Sequence, residues 1–153
     1  MPEFEHAFVV RAPLTRTWAF HADPFSLPKV TRKPLRLRVI HADQPLAVGS
    51  HIHLELRLGP IRRTWRVRVR DLQPPYAFTD EQLPGEGPFR RWVHTHAFEK
   101  IDATHTRVMD RLSFDLHGGL LGTVVGWLMA RLILPLVFAA RAATTRSILE
   151  REP

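Results

Sequence analysis

The stretch from Gly119 to about Arg151 constrains the fold more than any other part of this sequence. It contains no turn signal and predicts a helix about 48 Å long at 1.5 Å per residue. Its first two thirds are apolar on nearly every side, whereas a surface helix carries a single apolar stripe. The helix therefore needs apolar surroundings on more than one face.

Two environments meet that need, a lipid bilayer or a curved β-sheet. Leu120–Ala140 is about long enough to cross a membrane, and Gly122 and Gly126 have the spacing of a membrane-helix contact. Against a span, Arg131 lies near the middle, where a charge costs about 2.5 to 3.5 kcal/mol, and Pro135 follows it. We favour the sheet, because the rest of the chain supplies strands enough to build one.

The composition is typical of one folded domain covering residues 1–153. The chain has 153 residues, 44% of them hydrophobic, which suits a buried core and argues against disorder. It has no cysteine, which excludes disulfides and thiolate metal sites and fits a cytoplasmic location. The first ten residues, MPEFEHAFVV, lack the basic start of a signal peptide and instead alternate like a strand.

The chain before the long helix predicts strands and two short helices. After the first strand, Thr15–Ala22 predicts a short helix, and a second short helix or loop is expected between Asp23 and Pro34. Six alternating runs follow, and they are predicted as strands near residues 35–39, 51–58, 64–70, 76–83, 89–100 and 106–116. Short turns between consecutive strands favour an antiparallel meander.

These elements predict an α+β fold in which a curved seven-stranded antiparallel sheet wraps around the C-terminal helix, with the two short helices closing one end. The space that such a sheet and helix enclose is a default ligand site.

Several motifs resemble one known superfamily. They comprise Phe78, Asp80, Gln82, the run GPFRRWVHTHAFE (87–99), Thr106, Arg107, Met109, Asp110 and the turn HGGLLG (117–122). Together with the order of elements, they resemble the helix-grip fold of the START-like, or SRPBCC, superfamily, and within it the bacterial ligand-binding SRPBCC proteins. The resemblance implies binding of a hydrophobic small molecule such as a lipid or polyketide, with no fixed cofactor. It assigns no catalytic residues.

Strand parity separates the histidine pairs. His51 and His53 alternate with inward leucine and isoleucine positions and should point outward. His94 and His96 share their face with Trp92 and should point into the cavity. The hairpin places Asp110 opposite His96, and we expect it to accept a hydrogen bond from that imidazole, because a buried carboxylate without a partner is costly.

The expected ligand site combines this polar group with the surrounding apolar residues. The predicted lining residues are His6, Trp65, Phe78, Asp80, Gln82, Trp92, His94, His96, Phe98, Asp110, Leu112, Phe114, Leu121, Val124, Val125, Leu128 and Leu132. A polar network that orients a ligand or fixes strand register is the favoured interpretation. Acid–base catalysis by His94 or His96, with Asp110, on a carbonyl substrate is the alternative, as in a cyclase, aromatase or dehydratase. A zinc site of His94, His96 and Asp110 is disfavoured.

The positive charge allows one further alternative. The net charge is +7, and arginines from three successive strands should share the outer face of the sheet. Such a face is either simply solvated or associates peripherally with an anionic membrane. Nucleic acid is disfavoured, because no aromatic residues interleave with these arginines. The sequence identifies neither the ligand nor the oligomeric state, and it favours a binding protein over an enzyme.

Overall fold

The structure, a computed structural model, describes residues 1–151, and its strands form one seven-stranded antiparallel sheet. The strands are β1 (Glu3–Val10), β2 (Leu35–Ala42), β3 (His51–Leu58), β4 (Ile61–Gln73), β5 (Ala77–Gln82), β6 (Arg91–Lys100) and β7 (Thr106–Asp115). Their order is β1-β7-β6-β5-β4-β3-β2, so six strands form a meander and β1 pairs with the last of them. The predicted α+β helix-grip architecture is confirmed.

Two short helices follow β1, as expected. Helix α1 (Leu14–Ala22) begins directly after Pro13. A single 3-10 turn (Pro24–Ser26) then leads into α2 (Leu27–Val30). Asp23 fixes this junction, because its carboxylate accepts a hydrogen bond of 3.0 Å from the backbone N–H of Phe25. The junction holds α1 and α2 against one end of the sheet.

The prediction of one continuous C-terminal helix is wrong. It is divided at Ile133 into α3 (Gly119–Leu132) and α4 (Leu134–Leu149), which meet at a bend of 40°. Pro135 lies in the first turn of α4 and explains the break. Proline has no N–H to donate, and its ring clashes with the carbonyl four residues earlier in a continuous helix.

Helix α4 covers the inner face of the sheet. Its buried residues recur at three- and four-residue spacing, and they are Leu134, Phe138, Ala142, Thr145 and Leu149. Leu134 and Phe138 join a core cluster with Phe4, Leu112 and Phe114. The sheet and α4 therefore form the expected arrangement of a helix held by a curved sheet.

Helix α3 buries the opposite side to the one that was predicted. Its buried residues are all small, namely Gly122, Gly126 and Ala130. The five α3 residues expected to line the cavity are 45% to 72% exposed, and they are Leu121, Val124, Val125, Leu128 and Leu132. That expectation is wrong, because α3 approaches β1 and β7 through its glycines and directs its large side chains away from the domain.

The bend between α3 and α4 also determines how these helices compare with a membrane-spanning helix. Among residues 1–151, no single helix is both long and apolar enough to span a bilayer. Taken together, α3 and α4 meet that criterion by length and composition, as a bent pair.

The outer face of β2–β4 carries the predicted arginines. Arg36 lies opposite Arg57, and Arg57 lies opposite Arg62 on the next strand. Glu55 lies on the same face and contacts Arg38 at 3.5 Å and Arg62 at 3.8 Å. This face is basic, and a partner for it stays a prediction.

Candidate functional site

Three neighbouring strands bring two histidines and two aspartates together on the inner face of the sheet. His94 and His96 alternate along β6, so they share one face. Asp80 on β5 lies opposite His94, and Asp110 on β7 lies opposite His96. The predicted position of Asp110 is thus confirmed. Both histidines are 4% exposed and Asp110 is 7% exposed, so these three are buried, whereas Asp80 is half-buried.

The hydrogen bonds within this group run diagonally between strands. His94 Nε2 donates to Asp110 Oδ1 at 2.8 Å, and His96 Nε2 donates to Asp80 Oδ2 at 3.2 Å. The predicted hydrogen bond from His96 to Asp110 is wrong, because His96 Nδ1 lies 3.4 Å from Asp110 Oδ1 in an ion-pair contact without hydrogen-bond geometry. Diagonal neighbours on adjacent strands remain within reach of side chains of this length.

The two imidazoles differ in proton affinity. Burial, reinforced by the charge of His96, lowers the pKa of His94 despite its bond to Asp110. Burial also acts to lower the pKa of His96, but Asp110 and Asp80 outweigh it and the net shift is upward. Burial alone would raise the pKa of Asp110, yet His94 and His96 hold it well below its usual value. The site thus combines an ionised carboxylate with one imidazole that binds a proton more readily than the other.

The group faces a cavity of about 90 Å³ between the sheet, α1, α2 and α4. The polar part of its wall is formed by Asp80, His94, His96, His21 and Arg141. The apolar part includes Leu37, Leu46, Ile52, Leu54, Trp65, Val67, Phe78 and Trp92. A second space of about 20 Å³, lined by Asp110 and Phe138, shares His21, Leu27, His96 and Arg141 with the first. The larger depressions at Arg36 and Arg57 lie on the outer face and are open to solvent.

Two buried polar atoms of the cavity wall have no hydrogen-bond partner among residues 1–151. They are Nε1 of Trp65 and Nδ1 of His96. Leaving a buried polar group unpaired costs about 1–3 kcal/mol. The interior beside the cavity therefore contains polar groups that the described chain does not satisfy.

The sequence interpretation missed His21 and Arg141. His21 Nδ1 donates to the Thr17 carbonyl at 2.8 Å, and burial lowers the pKa of this histidine to about 4, so it is neutral at pH 7. The Arg141 guanidinium lies 5.0 Å from the centre of the Phe138 ring. Arg141 follows Leu134 by seven residues and Phe138 by three. This spacing puts Arg141 on the apolar stripe of the helix, and a cation in such a position could have been recognised in the sequence as a candidate site residue.

The remaining predicted lining residues have other places. Gln82 is buried, but its side chain donates to the Phe89 carbonyl at 2.6 Å and accepts from the Phe89 N–H at 3.2 Å, which fixes the β5–β6 turn. Phe98, Leu112 and Phe114 belong to the core clusters. The His6 ring lies 6.0 Å from both Phe8 and Phe138, so it packs beside the site. Their roles in binding stay predictions.

A metal ion is chemically compatible with part of this group. Donor atoms of Asp80, His94 and His96 lie within 4.8 Å of one another, and zinc accepts such nitrogen and oxygen ligands at about 2 Å. The set differs from the one weighed from the sequence, since Asp80 replaces Asp110. In the structure, the hydrogen bonds to Asp80 and Asp110 already engage both imidazoles.

The chain is similar to one known protein family over most of its length. Residues 10–139 match the family described as polyketide cyclase / dehydrase and lipid transport. No curated protein sequence matches the chain.

Solved structures share the fold. The chain is similar to the ZhuI aromatase/cyclase from Streptomyces sp. R1128, with 19% identity, a TM-score of 0.74 and coverage of 98% of this chain and 94% of that one. It is similar to BexL, a di-domain ARO/CYC protein of the BE-7585A biosynthetic pathway, with 17% identity, a TM-score of 0.73 and coverage of 100% and 48%. The protein TTHA0849 from Thermus thermophilus has 17% identity, a TM-score of 0.70 and coverage of 96% and 99%. At these identities the likeness concerns the fold.

Proposed function

The chain belongs to the polyketide cyclase / dehydrase and lipid transport family, and from that premise we propose that it binds a hydrophobic small molecule with polar oxygens, of polyketide type, in the cavity between the sheet and α4. The observation that carries the proposal is the mixed apolar and polar wall of that cavity. Apolar residues of β2–β6 line it together with Asp80, His94, His96 and Arg141.

The polar part of the wall favours a ligand that carries carbonyl or hydroxyl groups over a plain hydrocarbon. Asp80, His94 and His96 supply the carboxylate and imidazole groups of this part of the wall. Arg141 adds a cation that suits a phenolate, enolate or carboxylate oxygen. A polyketide offers such oxygens on an apolar body, so it satisfies both parts of the wall.

Binding must enlarge the cavity. A volume of about 90 Å³ is well below the range of about 300–1,000 Å³ for sites that hold drug-sized ligands. The part of the wall that lies outside the sheet includes the four-residue helix α2 and Leu46 in the β2–β3 connection. We propose that these segments move outward as the ligand enters.

Native mass spectrometry of the purified protein, followed by organic extraction, tests the proposal. We expect a co-purified apolar molecule, or saturable binding of the fluorescent probe 1-anilinonaphthalene-8-sulfonate. Leu54→Phe should weaken probe binding about tenfold by filling the cavity, since Leu54 is 3% exposed in its wall. Exposed Leu58→Phe on the same strand is the matched control. Binding that is equally strong in both variants would place the probe outside the cavity and contradict the proposal.

A second candidate function is acid–base catalysis in the same cavity, as in a cyclase or dehydratase. The opposite pKa shifts of His94 and His96 favour it, because a neutral imidazole can accept a proton while a protonated one donates. In the dehydration of a β-hydroxy carbonyl substrate, His94 would take the α-proton, the C–H electron pair would form the C=C bond, and His96 would protonate the departing hydroxyl, so that water leaves. His96→Gln should then abolish water loss from a β-hydroxy thioester while its binding is retained. Loss of folding stability without a change in the turnover of folded protein would support a purely structural network.

A further inference from the structure

The first C-terminal helix presents a continuous apolar surface to solvent. Ten large apolar side chains of α3 and the start of α4 are 39% to 82% exposed, namely Leu120, Leu121, Val124, Val125, Trp127, Leu128, Leu132, Ile133, Leu136 and Val137. We call this set the α3 face. Contiguous apolar surfaces of this kind mark protein or membrane contacts in folded proteins.

The exposure follows from how α3 is built. An ordinary surface helix buries its large apolar residues and exposes polar ones. In α3 the buried positions are Gly122, Gly126 and Ala130, which lie four residues apart on one side of the helix. At Gly126 an added Cβ would lie 2.7 Å from Pro2 Cγ, so the helix already touches the domain closely there. The large α3 side chains of this face therefore lie on the other sides of the helix, where they are 45% to 82% exposed.

The charges decide what covers this face. No Asp or Glu occurs between Gly119 and Leu149. Of the three arginines in the helix pair, Arg141 lines the cavity and Arg146 bonds to the Val9 carbonyl, so Arg131 is the one that bears on this face. Arg131 is exposed within the α3 face. A second copy of the chain docked through the same face would offer Arg131 no carboxylate from these helices. Anionic lipid headgroups offer both the negative charge and the apolar layer beneath it.

We propose that the α3 face docks in the plane of an anionic lipid membrane. The leucines and valines enter the acyl region, Trp127 lies at the level of the headgroups, and Arg131 reaches a lipid phosphate. The docking is peripheral, because Phe138, Ala142 and Leu149 of α4 are buried against the sheet and could enter a bilayer only if that core opened. The proposal uses residues outside the cavity and holds whatever occupies that cavity.

Co-sedimentation of the full chain with vesicles tests the proposal. We expect binding to vesicles of equal parts phosphatidylglycerol and phosphatidylcholine, with weaker binding to phosphatidylcholine alone and in high salt. Leu121→Gln with Leu128→Gln should weaken binding at least about tenfold. These residues are 72% and 53% exposed, so the domain should stay folded. Val48→Gln with Ile101→Gln removes two other exposed apolar residues, 65% and 44% exposed, as the matched control.

Two further readouts make the outcome decisive. Lipids brominated on their acyl chains should quench the fluorescence of Trp127, and Trp127→Phe should remove that quenching while binding persists. Equal binding by the Leu121/Leu128 variant and the wild type would assign any membrane affinity to the arginine-rich sheet face and overturn the proposal. Absence of vesicle binding would also overturn it, as would a dimer in analytical ultracentrifugation that only the Leu121/Leu128 variant disrupts.

Discussion

At the scale of single residues, His21 links the interior of the protein to solution pH. Its ring packs beside Phe98, at 5.0 Å between ring centres, in a half-buried position, and His96, Asp110 and Arg141 are the charged or titratable groups that act on it. Burial is the largest effect and lowers the pKa from 6.5 to about 4. The unfolded chain therefore binds a proton between pH 6.5 and 4 that the folded chain does not, and folding stability falls as the pH decreases through this window.

His21→Leu should flatten that dependence. A shift from 6.5 to about 4 corresponds to about 3 kcal/mol of stability lost by pH 4, or up to about 1.4 kcal/mol per pH unit. We expect urea denaturation between pH 7 and pH 4.5 to give a smaller slope for the variant, whatever its absolute stability. Exposed His117→Gln is the control and should retain the wild-type slope. An unchanged slope in His21→Leu would show that other groups, such as His94, account for the acid sensitivity.

Strand parity allowed part of the site to be predicted from the sequence. Alternation along β6 was enough to direct His94 and His96 inward, and hairpin counting was enough to place Asp110 opposite His96. The diagonal hydrogen bonds could not be predicted, because they depend on how side chains lean between strands. His21 and Arg141 come from helices more than a hundred residues apart, and only the packed fold brings them to one cavity.

At the scale of elements, the strands were predicted well and the C-terminal helix poorly. Alternating apolar residues and short turns define a meander nearly uniquely, whereas in an all-apolar helix the pattern of large apolar residues does not show which side is buried. Pro135 was visible in the sequence, but whether a proline kinks or interrupts a helix depends on its packing. The small residues Gly122, Gly126 and Ala130 were the signal for the buried side of α3, since close approach requires them.

Gly122→Ala tests this account of α3. In an exposed helix the change normally stabilises by about 1 kcal/mol. Here an added Cβ would lie 2.3 Å from the His117 carbonyl oxygen and 3.0 Å from that of Leu116, and backbone atoms cannot simply rotate aside. We expect a destabilisation of about 1–3 kcal/mol in thermal or urea denaturation.

The neighbouring substitution Thr123→Ala provides the control for helix propensity. Thr123 is half-buried, and its hydroxyl bonds only to the Gly119 carbonyl within the helix, at 3.1 Å. It should be neutral or slightly stabilising. If Gly122→Ala stabilised the protein to a similar extent, α3 would not be held as closely to the His117 turn as the structure indicates.

At the scale of the whole molecule, α4 joins the two ends of the chain. Arg146 Nε donates to the Val9 carbonyl at 2.9 Å, and the Arg11 N–H donates to the Glu150 carboxylate at 3.0 Å. Arg32 Nε reaches the Thr144 hydroxyl at 3.0 Å, which ties the segment after α2 to the same helix. Because β1, α2 and α4 hold one another, the sheet and α4 should unfold together.

Phe138→Ala tests that cooperativity at the point where α4 meets the sheet. The Phe138 ring is 3% exposed and lies 5.2 Å from Phe4 and 5.8 Å from His94, measured between ring centres. Removing it should lower the free energy of unfolding by about 3–5 kcal/mol, because the core cannot collapse fully into the space left. Helical circular dichroism and tryptophan fluorescence should report one coincident transition. Val137→Ala, next to it and 39% exposed, should cost less than about 1 kcal/mol. Two separate transitions in Phe138→Ala would mean that α4 detaches while the sheet remains folded, and that the cavity is closed by a helix able to leave it.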